Sequence, residues 1–140
     1  VPNIAGVKDA TGDISEVAEV MSLSKGNVDL YSGNDDQITA VMALGGKGVI
    51  SVLSNILPKE THDIAARYLQ GDAAKSCELQ LSYIPLIQAL FSEVNPIPVK
   101  RAMNFMGMEV GSLRLPLTEM ESANAERLRE EMKKAGIRVD

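Results

Sequence analysis

The amino-acid sequence predicts an α/β fold in which parallel strands alternate with helices and a helical segment follows. Three short runs of mostly apolar residues are typical of buried strands and lie at residues 3–8, 28–32 and 48–53. Helix-like runs separate them, and such short connections between strands require a parallel sheet with right-handed crossovers. The strand signal then ends, and residues 58–140 indicate helices and loops only.

Composition and charge are those of an ordinary globular domain and argue against several classes of function. The chain has 140 residues, of which 45% are hydrophobic and 24% are charged, with a net charge of −5. Acidic and basic residues are interspersed, which argues against a nucleic-acid surface, and no apolar stretch approaches the roughly 20 residues of a membrane-spanning helix. Cys77 is the only cysteine, so no internal disulfide can form and a reducing cytoplasm is the predicted location.

The two helices between the predicted strands have recognisable start and stop signals. Asp13 and Glu16 form a pattern typical of a capping box at the start of the first helix. The second helix is predicted to begin near residues 34–36 and to stop at the glycine pair at residues 45–46. The apolar positions of the first helix recur at helical spacing and are Ile14, Val17, Ala18 and Met21.

Proline and glycine divide the rest of the chain into further helices. The first is predicted over residues 58–70, and a longer one over about residues 72–92, with Pro85 kinking or interrupting it. Another is predicted over residues 96–106, where a glycine follows.

Two patterns in this helical part give specific expectations. Thr118 and Glu121 form a second capping box, which is predicted to open the last helix. The apolar residues of the helix at residues 72–92 recur at helical spacing and are expected to face the core; they are Ala74, Cys77, Leu81 and Ile84.

Lys8 closes the first predicted strand and is the candidate catalytic residue. Alternation along a strand places it on the same face as Gly6, which leaves space beside the amine. Apolar walls would lower the pKa of such an amine from about 10.4 toward neutrality, and a neutral amine can attack a carbonyl to form a Schiff base. The alternative is a solvated lysine at a strand end, which the spacing alone favours; the rest of the chain reverses that preference.

Polar residues follow the predicted strands at the ends that line an active site in parallel α/β folds. Gly33 allows the backbone to approach a ligand closely or permits a tight turn. Asp35 and Asp36 suit a helix N-terminus, where negative charge is favourable, and we prefer capping over direct substrate contact for them. The end of the third strand, near Ile50, would stand beside Lys8 in a closed barrel.

Four motifs occur in the order in which a known family of enzymes has them. They lie at residues 6–13, 32–36, 45–52 and 95–100, and read GVKDATGD, SGNDD, GGKGVISV and NPIPVK. With these motifs the chain resembles the dihydrodipicolinate synthase family, class I (Schiff-base) aldolases built on a TIM (β/α)8 barrel. The resemblance covers essentially all 140 residues.

The resemblance implies a reaction and a set of site residues. Lys8 would condense with pyruvate, and the resulting enamine would attack aspartate semialdehyde to give 4-hydroxy-tetrahydrodipicolinate for lysine and diaminopimelate synthesis. Ile50 matches the position whose backbone carbonyl faces the lysine and pyruvate, and Gly33 matches a position that lines the same pocket. The resemblance implies no metal and no organic cofactor, and it implies a homo-oligomer.

The chain is shorter than the enzymes it resembles. A complete barrel needs roughly 200 residues or more, so we expect only its last three β/α units, residues 1–57, followed by a C-terminal helical region, residues 58–140. The family's other catalytic groups would come from an N-terminal half of the same enzyme, which is the expected partner. The chain begins with valine rather than methionine, and we expect it to be a piece of something larger.

Two alternative functions stay open. Another pyruvate-dependent aldolase, such as N-acetylneuraminate lyase or a 2-keto-3-deoxy acid aldolase, would use the same lysine on a different aldehyde. A non-catalytic half-barrel would instead dock to a partner chain and form no adduct with pyruvate. The aldehyde that is turned over distinguishes the first alternative, and borohydride trapping of pyruvate on Lys8 distinguishes the second.

Overall fold

Three parallel strands alternate with the first helices of the chain, and helices with their connections follow. The structure, a computed structural model, describes residues 3–139. Its strands are β1 (Gly6–Asp9), β2 (Asp29–Ser32) and β3 (Gly48–Val49). The helices of the described part are α1 (Ile14–Ser24), α2 (Ile38–Ala43), α3 (Pro58–Leu69), α4 (Ala73–Ser82), α5 (Ile84–Leu90), α6 (Ile97–Phe105) and α7 (Ser122–Lys134). Short 3₁₀ helices lie at Asp35–Gln37 and Leu53–Asn55.

The sheet has the order β1-β2-β3, and both pairs of strands are parallel, as predicted. Lys8 lies opposite Tyr31, and Tyr31 lies opposite Gly48, so these three residues form one row across the sheet. The helix α1 connects β1 to β2 and α2 connects β2 to β3. The described residues therefore form consecutive β/α units.

The third strand is shorter than the sequence predicts. It covers two residues instead of residues 48–53, and a 3₁₀ helix begins at Leu53. The reason is a side chain: the backbone N–H groups of Val52 and Leu53 donate to Asp35 Oδ2 and not to a neighbouring strand. The first strand also begins later than predicted, at Gly6, although Asp29 N still donates to the Ala5 carbonyl.

One face of the sheet is buried beneath α1 and α2. Leu30 is fully buried on this face and packs in a cluster with Val17 of α1 and Val41 of α2. On the opposite face Ile50 is 51% exposed. Nearly continuous apolar strands are typical of a sheet that is covered on both faces, but within residues 3–139 only the helix side is covered.

The start of α1 follows the prediction in part. Asp13 Oδ1 accepts hydrogen bonds from Ser15 N at 2.8 Å and from Glu16 N at 3.4 Å, so the predicted cap is confirmed. The second bond of a capping box is not formed, because the backbone N–H of Asp13 donates to Thr11 Oγ1 and not to the Glu16 side chain. The local spacing therefore identified the cap, and a threonine in the preceding loop holds the cap residue in place.

The predicted helix at residues 72–92 is divided at Tyr83, two residues before Pro85, into α4 and α5. The prediction of the buried face of α4 was wrong, since Cys77 is exposed and Leu81 is 59% exposed. The buried positions are instead the polar residues Ser76 and Gln80. Their polar groups are satisfied there: Ser76 binds a backbone carbonyl of α3, and Gln80 binds backbone groups of α2 and of the 3₁₀ helix before it.

The predicted capping box of the last helix was also wrong. The helix α7 begins at Ser122, and neither Thr118 nor the side chain of Glu121 caps it. Glu93, from the connection between α5 and α6, supplies the acceptor: its Oε1 binds Glu121 N at 3.0 Å and Asn124 Nδ2 at 2.9 Å. A partner that is distant in the sequence has replaced the local one.

Two hydrophobic clusters hold the helices together. The larger joins α5, α6 and α7 to the turn after β3, around Leu53, Leu90 and Leu128. A second joins Ile38 of α2 to Ile64 of α3 and so connects the strands to the helices that follow. Within residues 3–139 no helix is long and apolar enough to span a membrane.

Candidate active site at the carboxyl ends of the strands

Lys8 of β1, Gly33 directly after β2 and Ile50 directly after β3 lie at the same edge of the sheet. Because the strands are parallel, their carboxyl ends meet at that edge. Gly33 N donates a hydrogen bond to the Asp9 carbonyl, and Ile50 N donates to the Ser32 carbonyl at 2.8 Å. These backbone bonds continue the ladders past the strand ends and hold the three residues together.

Gly33 packs directly against the side chain of Lys8. A Cβ atom at Gly33 would lie 2.7 Å from Lys8 Cε, 2.6 Å from Ala10 Cβ and 2.8 Å from the Asp9 carbonyl oxygen. No side chain fits these distances, so glycine at this position lets the lysine pass over the end of β2. The glycine is required by the close approach of the Asp9 carbonyl, Ala10 and Lys8, and not by an unusual backbone angle.

Lys8 is exposed, which differs from the expected apolar enclosure. Its row contains the half-buried Tyr31 and Gly48, which has no side chain, so little covers it within the sheet. The described residues leave this face of the sheet open. The amine therefore lacks, within residues 3–139, the dry surroundings expected from its sequence.

Ile50 lies on the same face of the sheet as Lys8. Ile50 is two residues beyond Gly48, which lies in the row of Tyr31 and Lys8. Because alternate residues of a strand point to the same face, Ile50 shares the face of Lys8. The strand β2 separates β1 from β3, and Gly33, which directly follows β2 and has no side chain, lies against the Lys8 side chain. The structure thus brings the three predicted residues to one edge, with Gly33 in the middle.

Asp35 is an important residue of this edge whose role sequence reasoning missed. It is fully buried, and its Oδ2 accepts hydrogen bonds from Val52 N at 2.9 Å and from Leu53 N at 3.0 Å. It was expected to cap the helix that follows it, but it binds the turn after β3 instead. Burial raises the pKa of its carboxyl group, and the nearby Ser51 side chain and the hydrogen bonds from these two backbone groups oppose that shift. Its place in the acidic motif after β2 was the only signal.

Asp36 differs from its neighbour because it is exposed. It borders a cavity of about 250 Å³ that lies between the end of β2 and α5. The cavity is lined by three polar side chains, one isoleucine and one aromatic ring. Its lining residues are Asn34, Asp36, Ile87, Gln88 and Phe91.

A second cavity, of about 300 Å³, lies far along the chain between α6, α7 and the loop that joins them. The guanidinium groups of Arg101 and Arg129 lie 4.7 and 5.1 Å from the centre of the Phe105 ring. Lys100, Glu119 and Glu126 also line it, so three cationic side chains face two carboxylates. Residues 3–139 contain no group of three His, Cys, Asp or Glu side chains that could hold a metal ion.

Curated proteins and solved structures extend the resemblance. The chain is 59% identical over 137 residues to the 4-hydroxy-tetrahydrodipicolinate synthase of Lachnoclostridium phytofermentans, covering 98% of this chain and 47% of that protein. It is 55% identical over 139 residues to the protein of that name from Caldicellulosiruptor saccharolyticus, covering 99% of this chain and 47% of that protein. The chain spans about half the length of the curated relatives it matches.

Solved structures give the same result for the fold. Dihydrodipicolinate synthase from Thermotoga maritima superposes with a TM-score of 0.93 at 41% identity, over 97% of this chain and 47% of that chain. Dihydrodipicolinate synthase from Aquifex aeolicus superposes with a TM-score of 0.94 at 37% identity, over 99% of this chain and 47% of that chain. Three parallel strands and helices that match these structures are consistent with part of a TIM barrel.

The sequence model of the dihydrodipicolinate synthetase family matches residues 1–135. This match includes β1 with Lys8, the Gly33 turn and the end of β3. The chain belongs to the dihydrodipicolinate synthetase family.

Proposed function

We propose that this chain supplies the Schiff-base lysine of a 4-hydroxy-tetrahydrodipicolinate synthase. The proposal is carried by one observation: Lys8 lies one residue before the end of a parallel strand, and its side chain packs against Gly33 at the edge where active sites of such folds lie. The identity of more than 50% to proteins of that name supports the choice of reaction.

In the proposed reaction the Lys8 amine attacks the keto carbon of pyruvate, and water leaves to give an iminium ion. The positive nitrogen withdraws electrons, so the methyl carbon loses a proton and becomes an enamine. The enamine carbon then bonds to the aldehyde carbon of aspartate semialdehyde, whose oxygen takes up a proton and becomes a hydroxyl group. The amino group of the bound product attacks the iminium carbon, which closes the ring and displaces the Lys8 amine. The Ile50 carbonyl would face the lysine and pyruvate, and Gly33 would line their pocket.

The exposed face of the sheet supports a second part of the proposal. An amine is activated by desolvation, yet Lys8 is exposed, and the apolar side chains of Ile4 and Ile50 on its face are 62% and 51% exposed. We propose that the N-terminal half of the same enzyme covers this face and completes the barrel. Residues 1–57 would then be its last three β/α units and residues 58–140 its C-terminal helical region.

We also propose that the assembled enzyme is a cytoplasmic homo-oligomer. The family resemblance supports the oligomer. A monomer is the alternative, since one solved relative, 41% identical with a TM-score of 0.92, is described as a monomeric dihydrodipicolinate synthase variant. Light scattering of the assembled enzyme tests the oligomer, and a mass of a single copy would contradict it.

Borohydride trapping tests the function. The chain, assembled with its N-terminal half, is incubated with pyruvate and reduced, and peptides are analysed by mass spectrometry. We expect the mass of one reduced pyruvate on Lys8. Lys8→Ala should lose the adduct and keep the fold, because an exposed strand end accepts a small residue.

Lys47 provides the matched control. It is also exposed, but it precedes β3 and so lies at the opposite end of the strands. Lys47→Ala should therefore trap pyruvate normally. An adduct that persists in Lys8→Ala, or no adduct in the unsubstituted assembled enzyme, would contradict the proposal; the second result would favour a docking role without catalysis.

The aldehyde distinguishes the proposed enzyme from the other aldolases. We expect turnover of aspartate semialdehyde by the assembled enzyme and none of sugar acids. Cleavage of N-acetylneuraminate or of a 2-keto-3-deoxy acid instead would replace the proposed reaction while leaving the Lys8 chemistry in place.

A further inference from the structure

Asp35 has no part in the reaction outlined above, yet it is fully buried at the edge of the sheet where Lys8 lies. A buried carboxylate is unfavourable unless its oxygens are hydrogen-bonded. One oxygen, Oδ2, meets this requirement twice, through Val52 N and Leu53 N, while Oδ1 is buried without a hydrogen-bond partner among the described residues. Both donors lie in the turn that directly follows Ile50.

The peptide that contains the Ile50 carbonyl is held on both sides. On its amino side Ile50 N donates to the Ser32 carbonyl at 2.8 Å. On its carboxyl side Val52 N donates to Asp35 Oδ2 at 2.9 Å. Both acceptors belong to one short segment, residues 32–35, so the backbone around Ile50 is fixed by that segment.

The same segment contacts the lysine. Gly33 lies between the two acceptors, and its Cα is so close to Lys8 that an added Cβ would be 2.7 Å from Lys8 Cε. Residues 32–35 therefore set the position of the Lys8 side chain and the direction of the Ile50 carbonyl together. A change in the Asp35 contacts would move the Ile50 carbonyl relative to the Lys8 side chain.

We infer that Asp35 is a positioning residue, whose carboxylate holds the turn after β3 so that the Ile50 carbonyl is directed toward Lys8. This inference rests on the proposed function, because it needs pyruvate to bind at Lys8. Asp35 acts through backbone amides and does not contact the substrate. A displacement of about 1 Å in a group beside the reacting atoms, here the Ile50 carbonyl, can slow a reaction by up to about a hundredfold.

Three variants of the assembled enzyme test the inference. In Asp35→Ala the two amides lose their acceptor, and the rate of pyruvate trapping on Lys8 should fall at least about tenfold. In Asp35→Asn the amide oxygen can still accept both bonds, so trapping should stay within about threefold of the unsubstituted rate. Asp35→Ser replaces the alanine variant if that one does not fold, because water can then occupy part of the space.

Two further measurements separate positioning from a merely structural role. Amide hydrogen exchange at Val52 and Leu53 should accelerate in Asp35→Ala and stay slow in Asp35→Asn. The KM for the aldehyde should be unchanged in both, since Asp35 does not bind it. All rates are corrected for the folded fraction, measured by thermal unfolding.

Asp72→Ala is the matched control. Asp72 also accepts a backbone hydrogen bond, from Lys75 N at 3.1 Å, but at the start of α4 and away from the strand ends. Its loss should lower stability without slowing the trapping of pyruvate.

Each result has one meaning. Normal trapping in Asp35→Ala or Asp35→Ser with fast exchange at Val52 would overturn the inference alone. Slow trapping in Asp35→Asn with protected amides would also overturn it, because the carboxylate would then act on the substrate directly. Absence of a Lys8 adduct in the unsubstituted enzyme would overturn the proposed function, and the inference with it.

Discussion

The two faces of the three-stranded sheet differ in what covers them. On one face Leu30 is fully buried against α1 and α2, and this packing stabilises the fold. On the other face Lys8 and Ile50 are exposed, and Gly33 leaves room for the lysine. Stability and the proposed chemistry are therefore separated across the thickness of one sheet. A substitution on the buried face should therefore lower the free energy of unfolding, and one on the open face should slow the trapping of pyruvate.

The largest effect should come from the buried face. Leu30→Ala removes a fully buried side chain and leaves a cavity, so we expect a loss of about 2–5 kcal/mol in the free energy of unfolding. Ile4→Ala is the control, because Ile4 is 62% exposed and its truncation should change stability by about 0.5 kcal/mol or less. Urea denaturation of the chain measures both, and equal losses would contradict the contrast between the faces.

A substitution at the centre of the open face should act mainly on Lys8. The added methyl group of Gly33→Ala would collide with Ala10 and Lys8, which costs about 1–3 kcal/mol and displaces the amine. Trapping of pyruvate in the assembled enzyme should slow at least about tenfold.

Gly71→Ala is the control for that substitution. Gly71 has open space around it but a φ of +88°, so alanine should lower stability through the backbone alone and leave trapping unchanged. Equal trapping rates in the two variants would show that Gly33 does not control the lysine.

A smaller effect is expected where the helices meet the strand-containing part. Gln80 is 7% exposed; its Oε1 accepts from Thr39 N at 2.7 Å and its Nε2 donates to the Asp36 carbonyl at 2.6 Å. Gln80→Ala leaves both backbone groups without these partners, at a cost on the order of 1 kcal/mol. Thermal unfolding measures the loss, and Gln70→Ala, at an exposed position, should show almost none.

The smallest effect is electrostatic and far from both faces. The hydrogen bond from Lys59 lowers the pKa of the Asp63 carboxyl group on α3. Its stabilising contribution is therefore present above the ordinary pKa of an aspartate and is lost as the pH falls through the lowered value. NMR titration should show the pKa of Asp63 rising in Lys59→Ala but not in Lys75→Ala, where the lost pair is with Glu78. An unchanged pKa in Lys59→Ala would contradict this assignment.

Local patterns in the sequence were sufficient to predict the parallel strands and the positions of most helices. The spacing of Ile14, Val17 and Met21 identified the inner face of α1, and Asp13 identified its start. Pro85 marked the division between α4 and α5. In each case the signal lies within a short stretch of the chain, so the local pattern contains all the information needed.

The sequence by itself determined the order of strands and helices, the family resemblance and the candidate lysine. Only the tertiary structure decided which face of α4 is buried, where β3 ends and what Asp35 binds. The physical reason is distance along the chain: Asp35 meets Val52 across 17 residues, and Gln80 meets Thr39 across 41. A polar side chain whose partner is a distant backbone group looks, in the sequence, like any exposed polar residue.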